Sequence, residues 1–322
     1  MFRSNPHYVR FVDLLLRLHL LMKQGQEESV EANDIRESMD APWDGLSPLE
    51  IDRVRGLSAD LYTLEPESPI RHPESGGILD EAVRQELGGL LEECNWTAIL
   101  RCLRDKSNAI SADLAAYLRG RCWVELGDLD AGILFLTYAA EMQHNFAPSL
   151  IVPVLQSGDV QRAANLAREL VTSKSRLSVY PSFVLANACC LLVDRDTSHA
   201  DSWYQRAVDV FEFAFKTAAD LQARGDSIQL LPGNFVALAL CYDAIHETEK
   251  ARDAIDKALK LDSENPQAMM LHAWVNRQTT SNREFQKGME ALVIPSTRSA
   301  PSVNQATCWL PDVTSAYSLA GA

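Results

Sequence analysis

Leucine and alanine recur three and four residues apart along most of this chain, and no β-branched runs alternate with polar residues, so the pattern predicts an all-α fold. Helical spacing covers residues 7 to 24, 28 to 39 and 47 to 60. The third start is well marked: Ser47-Pro48-Leu49-Glu50 supplies an N-cap hydroxyl, a proline in the first turn and a carboxylate three residues on. Residues 65 to 77, EPESPIRHPESGG, break the periodicity with proline, glycine and serine and read as a linker. Beyond it, ILDEAVRQELGGLLEE and WTAILRCLRD look like the two arms of a helical hairpin, with Trp96 opening the second arm. GDVQRAANLARELV (158 to 171) and HADSWYQRAVDVFEFAFKTA (199 to 218) read as further second arms. Their first arms look irregular, because Pro153 and Pro181 interrupt or start them. From Pro295 onward helical spacing is lost, which predicts an irregular tail, mobile or docked as a strand-like arm through Trp309 and Leu310.

Two of these segments share one pattern. Residues 113 to 146 and 232 to 265, overlaid, put Gly120 on Ala239, Trp123 on Tyr242, Gly132 on Ala251, Leu136 on Ile255 and Ala139 on Ala258. The period is about 34 residues, and the next helix begins on schedule at Pro266. This resembles the tetratricopeptide repeat, in which small residues sit where two helices cross. The second copy carries the family's bulky, small, aromatic, small, small series at Phe235, Ala239, Tyr242, Ala251 and Ala258. The first departs from it at Ala116 and Arg119 but agrees at Gly120, Trp123, Gly127, Gly132 and Ala139. The resemblance implies a TPR-like helical-hairpin solenoid, wound as a right-handed superhelix, because a single hairpin cannot bury its own apolar face. The expected division is an acidic helical block over 1–65, a linker over 66–77, the array over 78–290 and an irregular tail over 291–322. The first block resembles the helical segment that precedes such arrays in some bacterial proteins.

Charge narrows the partners. Of a formal net charge of −14, more than half falls within residues 27 to 67, where twelve carboxylates face Arg36, Arg53 and Arg55. That surface repels phosphate backbones, so a nucleic-acid role lacks its basic footprint. The run reads first as a solvated face that favours solubility, and second as an attraction for a basic partner. FVDLLLRLHLLM (11 to 22) is interrupted by Asp13, Arg17 and His19 and has no small-residue cleavage site, which predicts an amphipathic helix and a mature chain starting near Met1. No stretch is long enough to span a membrane. Seven scattered cysteines predict free thiols and a cytoplasmic, reducing location. Adjacent Cys189 and Cys190 read as packed side chains on one helix in preference to a redox pair.

Candidate chemistry comes close without closing. His246-Glu247 opens like HExxH, but Lys250 stands where the second histidine belongs, so His246 reads as a turn residue and no metal is expected. Gly76-Gly77 and Gly88-Gly89 have no following lysine and read as linker and helix-end punctuation, so no phosphate or other cofactor is expected. The resemblance places partner contacts on the first arm of each repeat, at Leu114, Tyr117, Arg121 and Val124, at Gly233, Val236, Leu240 and Asp243, and at Gln267, Met270, Trp274 and Arg277. Tyr117, Arg121, Asp243, Met270, Trp274 and Arg277 are the candidates for a protein or peptide partner, since aromatic and arginine side chains dominate interface energetics. Trp274 and Met270 could equally cover the array's end against the tail. The lysine and asparagine with which some repeats of this family clamp acidic chaperone tails are replaced by Tyr117 and Arg121, so that ligand is not expected. The sequence therefore points to a non-catalytic scaffold presenting a concave groove. A self-associating or assembly subunit is the alternative, and an enzyme with a site assembled across repeats comes third.

Overall fold

The computed structural model describes residues 4–65, 72 and 79–277, apart from the side chains of Asn276 and Arg277. These residues form helices joined by short connections, and no strand occurs among them. The chain divides into two compact units, Met1–Met142 and Gln143–Ala322.

The first unit begins with α1 (Pro6–Lys23), α2 (Val30–Ser38), the short α3 (Asp40–Asp44) and α4 (Pro48–Tyr62). Their starts are set by side chains that satisfy free helix-end amides. Asn5 accepts from the His7 amide, Ser29 from that of Ala32, and Ser47 with Glu50 completes the reciprocal box expected from the sequence. Leu14 and Leu21 of α1 pack on Ala32 and Ile35 of α2, with Leu18 and Met39 at the margin. The unit continues through α5 (Glu81–Glu92), α6 (Trp96–Asp105), α7 (Ala112–Glu125) and α8 (Leu129–Met142).

The N-terminal helices share this unit with the first two hairpins. Buried polar groups tie them together. Tyr8 Oη donates to Asp128 Oδ2 at 2.8 Å, Arg53 Nε to the same oxygen at 2.7 Å, and Arg53 Nη2 to the Leu126 carbonyl at 2.6 Å. Asp60 of α4, fully buried, accepts from Arg104 of α6 and from Arg119 and Trp123 of α7. Gly88 and Gly89 lie inside α5, with nothing within 4 Å of a Cβ built at either. Their sequence reading as helix-end punctuation is thereby corrected: one open face lets the helix run through both.

The α7/α8 hairpin shows why its glycines are small. A Cβ on Gly120 would lie 2.6 Å from Leu136 Cγ and 2.9 Å from the Leu136 amide nitrogen. One on Gly132 would lie 2.9 Å from the Gly120 carbonyl oxygen. The two backbones touch at this crossing, which forces the Gly/Ala positions of the repeat. Four of the five hairpin turns also share one feature, a left-handed residue just past the first arm, at Cys94 (φ 52°), Gly127 (φ 91°), Gly158 (φ 92°) and His246 (φ 65°); the α11/α12 turn has none. Past α7 the Asp128 amide donates back to the Trp123 carbonyl at 2.8 Å, and Asn95 makes the same return bond to Leu90 at 2.9 Å.

The second unit contains α9 (Pro148–Gln156), α10 (Val160–Thr172), α11 (Val179–Val193), α12 (Ala200–Ala223), α13 (Pro232–Ala244), α14 (Thr248–Leu261) and α15 (Pro266–Arg277). The weakly patterned stretch between residues 147 and 231 is two complete hairpins, α9/α10 and α11/α12. Pro153 stays inside α9, and Pro181 falls in the first turn of α11, where a missing amide costs little. First arms neighbour one another as α9 with α11, α11 with α13, and α13 with α15. Phe183, Phe215 and Phe235 link α11, α12 and α13, with the last two rings stacked at 4.1 Å. Ala251, Ile255 and Ala258 of α14 are fully buried, as the repeat pattern requires. The tail expected from residue 291, including Trp309 and Leu310, lies outside the described residues.

Candidate functional site

On α11 the partly exposed positions are Tyr180, Val184, Asn187, Cys190 and Leu191; on α13, past its first residue Pro232, they are Asn234, Ala237, Leu240, Asp243 and Ala244. Each set recurs at helical spacing, so each helix leaves one stripe uncovered while its other faces enter the core. Polar bonds join α11 to α13 and to the connection before it, and α15 to α13. Asn187 Nδ2 donates to Asn234 Oδ1 at 3.3 Å, Tyr180 Oη donates to the Gln229 carbonyl at 3.4 Å, and Trp274 Nε1 of α15 donates to Asp243 Oδ2 at 3.3 Å. Met270, 37% exposed, lies one turn before Trp274.

Three of the six candidate contact residues, Asp243, Met270 and Trp274, therefore meet in the second unit. Arg277 has no described side chain. In the first unit Arg121 is pinned to Glu125 one turn along its own helix, at 3.1 Å. Tyr117 is 1% exposed and belongs to the core, as does Leu114, so the expectation that these two line a groove is corrected. Their places in the repeat mark which way a first arm faces, but nearly the whole of α7 is wrapped by other residues. Val236 is buried for the same reason, whereas Gly233 and Gln267 are exposed. His246, the half-motif residue, is accounted for by its left-handed turn.

A depression of about 340 Å³ lies among α12, α13 and α14. Phe215, Phe235 and Leu238 line its apolar part, and Glu212, Lys250, Asp253 and Lys257 line its polar part. Tyr242 Oη donates to Glu212 at 2.6 Å, and burial followed by that carboxylate pushes the phenol well above its ordinary range. Sequence reading missed this cleft because its residues come from three helices and include the repeat's own core aromatic.

The first unit holds a different kind of polar group. His19 of α1 is buried beside the Tyr138 ring, with Glu65 at 3.6 Å from its Nδ1. Burial, assisted by the Lys23 charge, lowers the imidazole from 6.5 to about 4. The Glu65 carboxyl is itself raised, by burial and then by the Glu27 charge. Below pH 6.5 the unfolded chain gains a proton that the folded His19 refuses, so stability is complete above pH 6.5 and is lost as the pH falls towards about 4. The expected loss is about 1–3 kcal/mol, and a His19→Phe variant should lack that part of the acid slope in denaturation titrations. Equal slopes for the two chains between those pH values would refute the assignment.

Among the described residues there is no group of three or more histidine, cysteine or acidic side chains able to hold a metal ion, and no helix long and apolar enough to cross a membrane. What the residues do build is an array of tetratricopeptide-like helical hairpins, all-α and closed at glycine and alanine crossings. No family model matches the chain, and no curated protein matches it. Solved structures do. A thermophilic TPR protein of Thermus thermophilus is 16% identical, with 62% of this chain and 97% of that one covered at a TM-score of 0.39. MamA (AMB-1) is 19% identical, covering 59% and 95% at a TM-score of 0.32. A tetratricopeptide repeat protein from Parabacteroides merdae is 12% identical, covering 83% and 99% at 0.27. Likenesses this distant transfer neither a partner nor an activity to this chain.

Proposed function

We propose that this chain is a non-catalytic interaction scaffold that offers the uncovered stripes of α11, α13 and α15 to a protein or peptide partner. The observation that carries the reading is the pairing of Trp274 with Asp243 beside exposed Met270: an aromatic side chain held by a hydrogen bond, half out of the core, on two adjacent first arms. Such a group contributes apolar area with little conformational entropy to lose, which is how interface anchors work. The peptide backbone would meet amide and carboxylate side chains along the same stripe, at Asn187, Asn234 and Asp243.

Affinity capture from the native cell extract, with the wild type beside Trp274→Ala and Met270→Ala, tests the assignment. The expected result is that partners held by the wild type fall at least tenfold with Trp274→Ala while far-UV circular dichroism stays the same. Equal recovery by both variants would remove the site from α13 and α15.

A second reading has its own observation. Leu261, Met269 and Met270 are 50%, 54% and 37% exposed at the end of the described array, apolar side chains suited to self-association. Light scattering coupled to size exclusion separates the two, since only the assembly reading expects a concentration-dependent oligomer that the Met269→Lys substitution dissolves.

A further inference from the structure

The first arms α11 and α13 bring two sulfurs together from positions 51 residues apart: Cys190 Sγ and Cys241 Sγ lie 3.3 Å from each other. Both are free thiols. A disulfide bond is about 2.05 Å long, so the sulfurs need to approach by little more than an ångström. The Asn187–Asn234 hydrogen bond, on the same two helices, already holds the pair of arms at this spacing. Cys189, the sequence neighbour of Cys190, lies roughly 100° around the helix and is fully buried in the core. Cys190 is partly exposed and Cys241 is buried, so the two have unequal access to solvent.

We propose that Cys190 and Cys241 form a modifiable dithiol that closes, under hydrogen peroxide, to a disulfide stapling two consecutive hairpins of the second unit. The Cys190 sulfur attacks one peroxide oxygen, the O–O bond breaks, and a sulfenic acid and one water result. The Cys241 sulfur then attacks the Cys190 sulfur, the S–O bond breaks, and a second water leaves as the S–S bond forms. In sum two thiols and one hydrogen peroxide give one disulfide and two waters. Neutral thiols attack slowly. The hydrogen bond to Cys241, then burial, holds the Cys190 thiol well above its ordinary range, so the pair responds to sustained oxidant and not to brief pulses. Tyr204, whose phenol is raised first by burial, adds no cation that would speed the first step.

Closure joins a loop of some 50 residues and should raise the thermal midpoint of the oxidised chain by roughly 5–10 °C over the reduced one. The full chain is incubated with hydrogen peroxide, remaining thiols are blocked with N-ethylmaleimide, and non-reduced peptides are sequenced by mass spectrometry. The expected product is one cross-linked peptide pair joining Cys190 to Cys241, short by two hydrogens, formed equally well in Cys189→Ser and abolished in Cys190→Ser together with the thermal shift. Separate alkylation of both cysteines after oxidation, oxidation of Cys190 to sulfinic acid without a cross-link, or a bond to Cys189 would each overturn the proposal. The mass readout requires only the wild-type chain, so it decides the matter even if Cys190→Ser folds poorly.

Discussion

Asp60→Ala is expected to destabilise the folded chain by about 3–5 kcal/mol, the cost of leaving a buried charge without its partner. The carboxylate is inaccessible to solvent and collects three donors: Arg104 through Nε and Nη2, both at 2.8 Å, Trp123 Nε1 at 3.1 Å, and Arg119 Nε at 3.3 Å. The three donors do not suffer equally from its loss. Arg104 keeps 26% of its side chain exposed and donates to the Gly56 carbonyl as well, so it can turn to water. Arg119, with only 1% exposed, cannot. Burial pushes its pKa down and the Asp60 charge opposes that push, so without the carboxylate the buried guanidinium loses that counter-charge and keeps its contact with His72 Nε2 at 3.3 Å. Asp60→Asn keeps the shape and the hydrogen-bond acceptor but not the charge, and should fall between wild type and Asp60→Ala. The pair Asp60→Leu with Arg119→Met should recover part of the loss, because it removes the buried cation left without its carboxylate, while the buried Trp123 Nε1 is still left without its acceptor. Urea denaturation followed by circular dichroism checks the series. A loss below about 1 kcal/mol for Asp60→Ala, the scale of an ordinary exposed pair, would show that this cluster does not hold α4 to the first hairpins.

Gly132→Leu should cost about 1–3 kcal/mol or somewhat more through overpacking, and even Gly132→Ala should be destabilising. A Cβ there would stand 2.9 Å from both the Gly120 carbonyl oxygen and the Val124 amide nitrogen, and main-chain atoms cannot swing aside as a side-chain tip can. The control is Gly88→Ala. That glycine is also helical but has nothing within 4 Å of the added carbon. It should gain about 0.5–1 kcal/mol, because alanine loses less backbone entropy in a helix. Thermal melts of the two variants should therefore move in opposite directions. Movement in the same direction would mean that the α7/α8 crossing is not where the hairpin is tightest.

Much of this protein was legible in its sequence, and particular residues show why. The repeat register at Gly120, Gly132, Ala251 and Ala258 was readable because a crossing that admits only small side chains leaves a strict compositional trace at fixed spacing. The Ser47/Glu50 box and the turn at His246 were readable because they are built from residues a few positions apart. Less of the candidate site was. Asp243, Met270 and Trp274 come together on adjacent first arms, but Tyr117 occupies an equivalent repeat position and is buried, because repeat position sets the direction of a side chain and not what later covers it. Gly88-Gly89 misled for a related reason: glycine marks a helix end only when the chain there needs its conformational freedom, and in α5 it does not.

By itself, the sequence determined the hairpins, since helical periodicity, small crossing residues and capping side chains are local properties that each segment carries with it. Tertiary structure alone decided that α4 reaches α6 and α7 through Asp60, that Tyr8 and Arg53 converge on Asp128, and that Cys190 meets Cys241 across 51 residues. Each of those contacts joins residues with no shared period, and their energies depend on exclusion of water by neighbours from other helices. Burial is a property of the assembled unit, which is why the same tyrosine, arginine or cysteine along the chain can be a surface group or part of the core.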